Sequence, residues 1–578
     1  MPLSLDVQDR LRQFHAAADA APASVWITRG PEHLLASGGE QSGPLAGRLM
    51  AVKDNIDVAG FPTTLACPDF TYRPTRSATV VESLVAAGAL AVGKTNLDQF
   101  ACGLVGTRSP YGIVPNAFHP DYICGGSSSG SALAVALGLV DFSLGTDTAG
   151  SGRIPAGFNN LVGVKPSRGV LSARGVYPAC QHLDCVSIFT RDVGLAATVL
   201  RAASAHDTGD PFARAAPPDA DFMPERFRFA VPAAAGLDFM DDALAAEAFG
   251  AAQKALSALG GVAGTIDFEP LARISEALYG QAWIAERYAA IRGFFDRQAD
   301  SIHPVVRAII ERGRHHSAAD VFEAMVRLGE VRQWLAGEWR NHDVLVVPTA
   351  PSHPTIAAVL AEPFEINRRL GLYTNFVNLL DLAAVAVPVS MRPDGLPFGI
   401  TLVGPSGSEW RLLDLAQRVH EQSGLAGGVV KEEREPAAPL VRPPATTVQV
   451  AVVGAHLDGL PLNGLLRSRG ARLVSKVQTA PLYRLYALQG TRPPKPGLVR
   501  AGGTAKAGLA IEAEVWEMPI VHYGAFVAEI PAPLGVGMIE LADGRRVQGF
   551  LCEAAAVQNA LDISHFGGWR AYLKHSGA

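Results

Sequence analysis

Residues 125–153 hold two glycine-rich serine turns with a short helix and a short strand between them, and this succession restricts the fold more than any other stretch of the chain. The first turn is Gly125-Gly126-Ser127-Ser128-Ser129-Gly130-Ser131, and the second is Gly145-Thr146-Asp147-Thr148-Ala149-Gly150-Ser151-Gly152-Arg153. Glycine lets a backbone turn tightly and lets other groups approach it closely, so both turns suit a site where main chain meets ligand. Residues 132–139 read as a helix and 142–145 as an apolar strand, and Pro155 punctuates the chain just after the second turn. A helix beginning near Gly130 and Ser131 presents unpaired N–H groups and the positive end of its dipole.

The same alternation recurs elsewhere. Residues 80–91 read as a helix running into a strand over 89–93, and Asp343-Val344-Leu345-Val346-Val347-Pro348 reads as a buried strand stopped by proline. Alternating helices and apolar strands predict an α/β sheet covered on both faces. The section at about 205–335 is alanine-rich and predicted mostly helical; within it 241–259 reads as a helix closed by Gly260-Gly261.

The 578 residues are more than one compact core usually organises. A change of composition divides them: glycines at 424–428 give way to Lys431-Glu432-Glu433-Arg434-Glu435-Pro436 and then to a proline-rich run. Such a stretch buries little apolar surface. The predicted organisation is a first domain over 1–424, a linker over 425–447 and a second domain over 448–578. In the second, 448–454, 509–516 and 523–529 read as strands and helices are few, predicting a small α+β or mostly β module.

A net charge of −5 shows no basic footprint and argues against nucleic acid as a primary partner. The six cysteines form no Cys-x-x-Cys pair, so neither a disulfide framework nor a zinc site is signalled. No uninterrupted apolar run reaches the ~18 residues of a membrane span. Asp6 and Asp9 stand where a secretory leader needs a basic start, and the expectation is a cytoplasmic protein.

Ser127 and Ser151, 24 positions apart, are candidates for nucleophilic chemistry, which needs a hydroxyl, a neighbouring base and N–H groups aimed at the developing oxyanion. The residues of 126–130 also match the G-x-S-x-G elbow, which would make Ser128 the nucleophile. That elbow follows a strong strand, and Asp121-Tyr122-Ile123-Cys124 is a weak one. Thr148, Ala149, Gly150 and Ser151 have small side chains, so their amides can surround an oxyanion. Lys53 lies in the apolar run Leu49-Met50-Ala51-Val52-Lys53, where it can face solvent or the interior. As a base it must lose its proton near neutral pH, a lowering of roughly 3 units that burial can supply.

Ala51-Val52-Lys53-Asp54-Asn55-Ile56, Gly93-Lys94-Thr95-Asn96-Leu97-Asp98-Gln99-Phe100 and the two serine turns together resemble the amidase signature family over roughly residues 25–420. The resemblance implies an open-edged mixed sheet flanked by helices and a Ser-cisSer-Lys triad. In that triad Ser151 is the nucleophile, Ser127 the bridging serine and Lys53 the base, with Thr148 to Ser151 as oxyanion hole. Arg153 is then a brace or a substrate contact.

Residues 453–463, 514–519, 530–537 and 562–573 resemble the C-terminal module of the allophanate hydrolase family, which is γ-glutamyl-cyclotransferase-like. This implies cleavage of allophanate, a carboxylated urea, to ammonia and carbon dioxide via N-carboxycarbamate, without metal or other cofactor. Tyr279 and Arg287 then hold the substrate carboxylate; on one helix over 274–292 they would stand about 12 Å apart along the axis and roughly 80° around it. His456 is the candidate polar residue of the second domain. A homodimer and coupling to a urea carboxylase are expected partners. The alternatives are a glutamyl-tRNA amidotransferase A subunit, or a broad aliphatic or aryl amidase.

Overall fold

Lys53, Asp147 and Cys185 all stand at ends of neighbouring strands, and the sheet that aligns them organises the first of two compact units, Met1–Val441 and Arg442–Ala578. The computed structural model describes residues 5–30, 42–215, 222–280, 282–430, 447–502 and 507–576. In chain order the strands of the first unit are β1 (Trp26–Arg29), β2 (Leu49–Lys53), β3 (Leu90–Thr95), β4 (Phe142–Asp147), β5 (Val162–Lys165) and β6 (Cys185–Thr190), followed by β7 (Phe227–Pro232), β8 (Gly261–Ile266), β9 (Val344–Pro348), β10 (Ala383–Met391) and β11 (Pro397–Gly404). They form one 11-stranded sheet in the order β1-β3-β2-β4-β6-β5-β10-β11-β9-β7-β8.

The sheet is mixed. β2 runs parallel to both β3 and β4, β4 pairs antiparallel with β6, and β7 is parallel to β8 and β9. Strands β2, β4, β5, β6, β9 and β11 are buried at every position, as expected of strands covered on both faces. The covering helices include Thr79–Ala86, Ser129–Ala136, Val193–Ala203 and Glu409–Ser423. The mixed sheet with helical layers agrees with the expected fold class.

Local elements shift in instructive ways. The helix read over 132–139 starts three residues earlier, at Ser129. The helix read over 241–259 is Ala243–Ala258, capped by the Asp242 carboxylate on the Ala245 amide, and Gly260 has φ +93°. The section at 205–335 is not purely helical, because it supplies β7 and β8. β8 is Gly-Val-Ala-Gly-Thr-Ile at the sheet edge, largely exposed, and carries no apolar alternation from which a strand can be read.

The first unit keeps hold of the chain as far as Val429, whose amide donates to the Ala136 carbonyl, while Gly428 donates to Asn160. Of the expected linker, 431–446 lie outside the described residues.

The second unit contains β12 (Thr447–Val452), β13 (Arg472–Gln478), β14 (Tyr483–Ala487), β15 (Pro496–Arg500), β16 (Glu512–Pro519), β17 (Leu534–Glu540), β18 (Arg546–Cys552) and β19 (Leu561–Asp562). A five-stranded sheet runs β13-β16-β12-β18-β17, and a three-stranded one runs β15-β14-β19. Trp516, Tyr483 and Phe526 lie in its core. The strand read over 523–529 is instead part of a helix, Ile520–Ala528, that begins directly after Pro519. A short apolar run is ambiguous by periodicity alone, and proline before its first residue favours the helix. Among the described residues no helix is long and apolar enough to cross a membrane.

Candidate active site

Parallel pairing of β2 with β4 brings the ends of both strands together, so that Lys53 lies beside Thr146. Its ammonium nitrogen is 2.8 Å from Thr146 Oγ1 and 2.8 Å from Ser127 Oγ. Ser127 Oγ is in turn 3.0 Å from Ser151 Oγ, which also approaches the Gly103 carbonyl at 3.5 Å. Lys53, Ser127 and Ser151 therefore form one continuous buried hydrogen-bonded chain. Hydroxyl protons rotate, so the same oxygen positions serve transfer in either direction.

Ser127 enters this chain from the loop before the helix Ser129–Ala136, and the Gly126–Ser127 peptide is cis. A Cβ on Gly126 would strike the Asp98 carboxylate and the Gly106 nitrogen, which is why glycine stands there. Asp98 accepts the amides of Val105, Gly106 and Arg108, so it holds the loop that carries Gly103. Ser128, the elbow candidate, gives its hydroxyl to the Thr146 carbonyl at 3.1 Å.

The turn after β4 is built around one carboxylate. Asp147 accepts the amides of Gly150 at 2.8 Å and Gly152 at 3.0 Å, and receives Arg153 on both oxygens. Arg153 also reaches the Thr374 carbonyl and the Asn378 side chain, so its donors are taken and it braces the turn. Burial alone would raise the Asp147 carboxyl, but Arg153 beside it outweighs that and holds it below the usual range. The expected oxyanion set needs one correction: the Gly150 amide is committed to Asp147. Among the described residues the amides of Thr148, Ala149 and Ser151 have no hydrogen-bond acceptor.

Burial is the main cause that brings Lys53 from 10.5 down to about 7; Asp184, Asp98 and Asp147 oppose it and the Arg287 charge adds to it. A lysine so placed is substantially neutral at physiological pH. Asp184 closes the site from the segment before β6, with Thr148 Oγ1 2.5 Å from one of its oxygens.

Arg287 is buried on the helix Ile284–Gln298, with Nη1 3.3 Å from the Ala101 carbonyl, and its charge is felt at both Lys53 and Asp184. The single helix expected over 274–292 is two: Glu269–Gly280 carries Tyr279 and Ile284–Gln298 carries Arg287. The spacing expected on one helix therefore does not apply. The Tyr279 side chain lies outside the described residues. Beside the segment that carries Asp184, a cavity of about 720 Å³ is lined by Pro178, Gln181, His182, Trp283 and Glu286.

His456 belongs to the second unit, where it lines a cavity of about 210 Å³ with Arg492, Lys495, Phe526, Glu529 and Phe550. Burial, with Lys495 and Arg469 adding, brings its imidazole down to about 4, so it is neutral at pH 7.

Asp98 and Thr146 lie inside the motifs that drew attention to Lys53 and Ser151, but nothing in their spacing assigns them a role. Asp184 and Asn378 have no local pattern at all. Asn378 joins the site across a large sequence separation, donating to the Asp147 carbonyl at 2.7 Å and the Leu183 carbonyl at 3.2 Å.

Comparison with known proteins gives the family. Residues 20–413 match the Amidase family. The chain belongs to the amidase family. Residues 448–574 of this amidase match the allophanate hydrolase C-terminal domain. It is 44% identical over 548 residues to the urea amidolyase of Saccharomyces cerevisiae, covering 92% of the amidase and 30% of the yeast protein. The chain thus spans under a third of that relative. A solved structure of Kluyveromyces lactis allophanate hydrolase superposes with a TM-score of 0.74 at 40% identity, covering 99% of this amidase and 97% of that chain. The A subunit of the glutamyl-tRNA(Gln) amidotransferase from Halobacterium salinarum is 33% identical over 416 residues, covering 66% of this amidase and 97% of that protein.

Proposed function

We propose that this amidase hydrolyses allophanate, with Ser151 as nucleophile, Ser127 as proton bridge and Lys53 as base. One observation carries the mechanism: the unbroken Lys53–Ser127–Ser151 contact chain ends on a lysine lowered to about 7. Neutral Lys53 takes a proton from Ser127 as Ser127 takes one from Ser151, and Ser151 Oγ bonds to the ureido carbonyl carbon. The amides of Thr148, Ala149 and Ser151, which have no acceptor among the described residues, receive the oxyanion. The tetrahedral centre collapses by breaking the bond to the terminal nitrogen, which takes the relayed proton and departs as ammonia. Water, deprotonated by the same relay, then attacks the acyl-enzyme and releases N-carboxycarbamate, which loses carbon dioxide.

Arg287 is the cation of the site suited to the substrate carboxylate, with Tyr279 as its proposed companion. The match of the second unit to an allophanate hydrolase C-terminal domain supports this substrate, and the His456 cavity is where that unit's own contribution is sought. The much longer yeast urea amidolyase supports coupling to an activity that supplies allophanate by carboxylating urea.

The test is ammonia release by the full chain from allophanate, urea, malonamate and glutamine side by side. Selective use of allophanate supports the proposal. Preference for glutamine would favour a transferase component, and equal use of neutral amides a broad amidase.

A further inference from the structure

Asp184 is a buried carboxyl outside the Lys53–Ser127–Ser151 chain, and its hydrogen bonds tie together the two segments that frame Ser151. One oxygen accepts the Thr148 hydroxyl at 2.5 Å; the other accepts the amides of Ala179 at 2.7 Å and Cys180 at 3.1 Å. Cys185, the next residue, pairs with Asp147 of β4, so the segment 179–184 and the turn 148–153 leave adjacent strands side by side. Asn378 clamps the same two segments through the Asp147 and Leu183 carbonyls. Thr148 also bears the first free amide of the turn, so fixing its side chain fixes the peptide that donates to the oxyanion.

We propose that Asp184 is a positioning residue for this reaction: through Thr148 it holds the amides of the turn in place, and its negative charge is set against Lys53 and Arg287. The inference rests on the roles given above to Ser151 and Lys53. Lys53 is faced by the negative groups Asp184, Asp98 and Asp147 and by the positive Arg287. Asp184 itself is pushed up to about 6 by burial, against the Thr148 bond, the Arg287 charge and the two backbone amides. The Asp184 charge is thus one of those that keep the proton on Lys53.

The test is kcat and kcat/KM for ammonia release across the acid side of the pH profile, for the full chain and for Asp184→Asn, Thr148→Val, Thr148→Ser and Ser151→Ala. Asp184→Asn removes one charge that keeps the proton on Lys53, so the acid limb moves to lower pH, while kcat falls about 10- to 100-fold as the turn loosens. Thr148→Val lowers kcat similarly, and Thr148→Ser, which keeps the hydroxyl, restores it. A carboxylate with a merely structural role would leave the limb in place. An unmoved limb in Asp184→Asn, or Thr148→Ser no better than Thr148→Val, overturns the role of Asp184 while an inactive Ser151→Ala leaves the nucleophile standing. An active Ser151→Ala, or a chain inert on all four amides named above, overturns both. Should Asp184→Asn fail to fold by circular dichroism, the Thr148 pair decides alone.

Discussion

Asp147 and Arg153 close a buried ring around Ser151: Nε lies 2.9 Å from one carboxylate oxygen and Nη2 3.0 Å from the other, both side chains being fully buried. The same carboxylate takes the amides of Gly150 and Gly152, so one side chain dictates the path of the turn on both sides of the serine. Gly150 has φ +135°, and a Cβ there would meet Thr374 Oγ1 at 2.5 Å, so the path needs glycine as well as charge. Two buried charges are tolerated because nearly every donor and acceptor between them is satisfied.

Removing one partner should therefore be costly. Arg153→Met leaves Asp147 buried without its cation and is expected to destabilise the first unit by about 3–5 kcal/mol. Arg153→Lys should recover only part of this, since an ammonium cannot reproduce the two-pronged contact. Urea denaturation of both variants checks it; a loss below about 1 kcal/mol for Arg153→Met would contradict the bracing role.

The two serines should separate cleanly by variant. Ser151→Ala is expected to abolish ammonia release with an unchanged melting temperature, because only a hydroxyl is lost. Ser127→Ala, which breaks the relay but keeps the nucleophile, should lower kcat by about 100- to 10,000-fold. Substantial turnover by Ser151→Ala would remove it as nucleophile.

Lys53 makes two pH predictions with one cause. Turnover needs the neutral amine, so kcat/KM should rise with pH through about 7, and Lys53→Arg, which stays charged, should be inactive. For stability, the folded chain holds this proton less tightly than the unfolded one. Below about 7 both forms are protonated and the folded state carries the full cost of a buried ammonium; between about 7 and 10.5 the unfolded state binds more protons, so stability rises with pH. Melting temperatures of the wild type and Lys53→Met should accordingly converge as pH rises through this window. A gap that widens instead would reverse the sign and sink the account.

The sheet and the two serine turns were legible in the chain because strands buried on both faces and glycine turns write themselves into local sequence. The relation of Lys53 to Ser127 was not readable from spacing, since 74 positions separate them and Ser127 reaches the end of β2 from the loop before the helix Ser129–Ala136. The resemblance supplied it. Asp184 and Asn378 left no trace, as neither lies in a periodic or glycine-bearing segment and the partners that bring them to the site, Thr148 for Asp184 and Asp147 and Leu183 for Asn378, are far away in sequence. The division into Glu269–Gly280 and Ile284–Gln298 was overlooked although a weak helix former, Gly280, ends the first, because the periodic pattern resumes after it.

In the proposed function, substrate choice turns on Arg287. Arg287 is buried beside the site, with Nη1 3.3 Å from the Ala101 carbonyl, so its guanidinium is already out of water where an anionic substrate group would meet it. Losing a charge-assisted contact of this kind costs about 1.5–3 kcal/mol, so Arg287→Ala should lower kcat/KM for allophanate and malonamate about 10- to 150-fold. Neutral amides should be affected much less. Its charge also helps to depress Lys53, so the acid limb of the same variant should move to higher pH on every substrate. The two effects are independent readouts of one cation: equal losses on charged and neutral substrates would reject its contact with the carboxylate, and an acid limb that stays put or falls would reject its place beside Lys53.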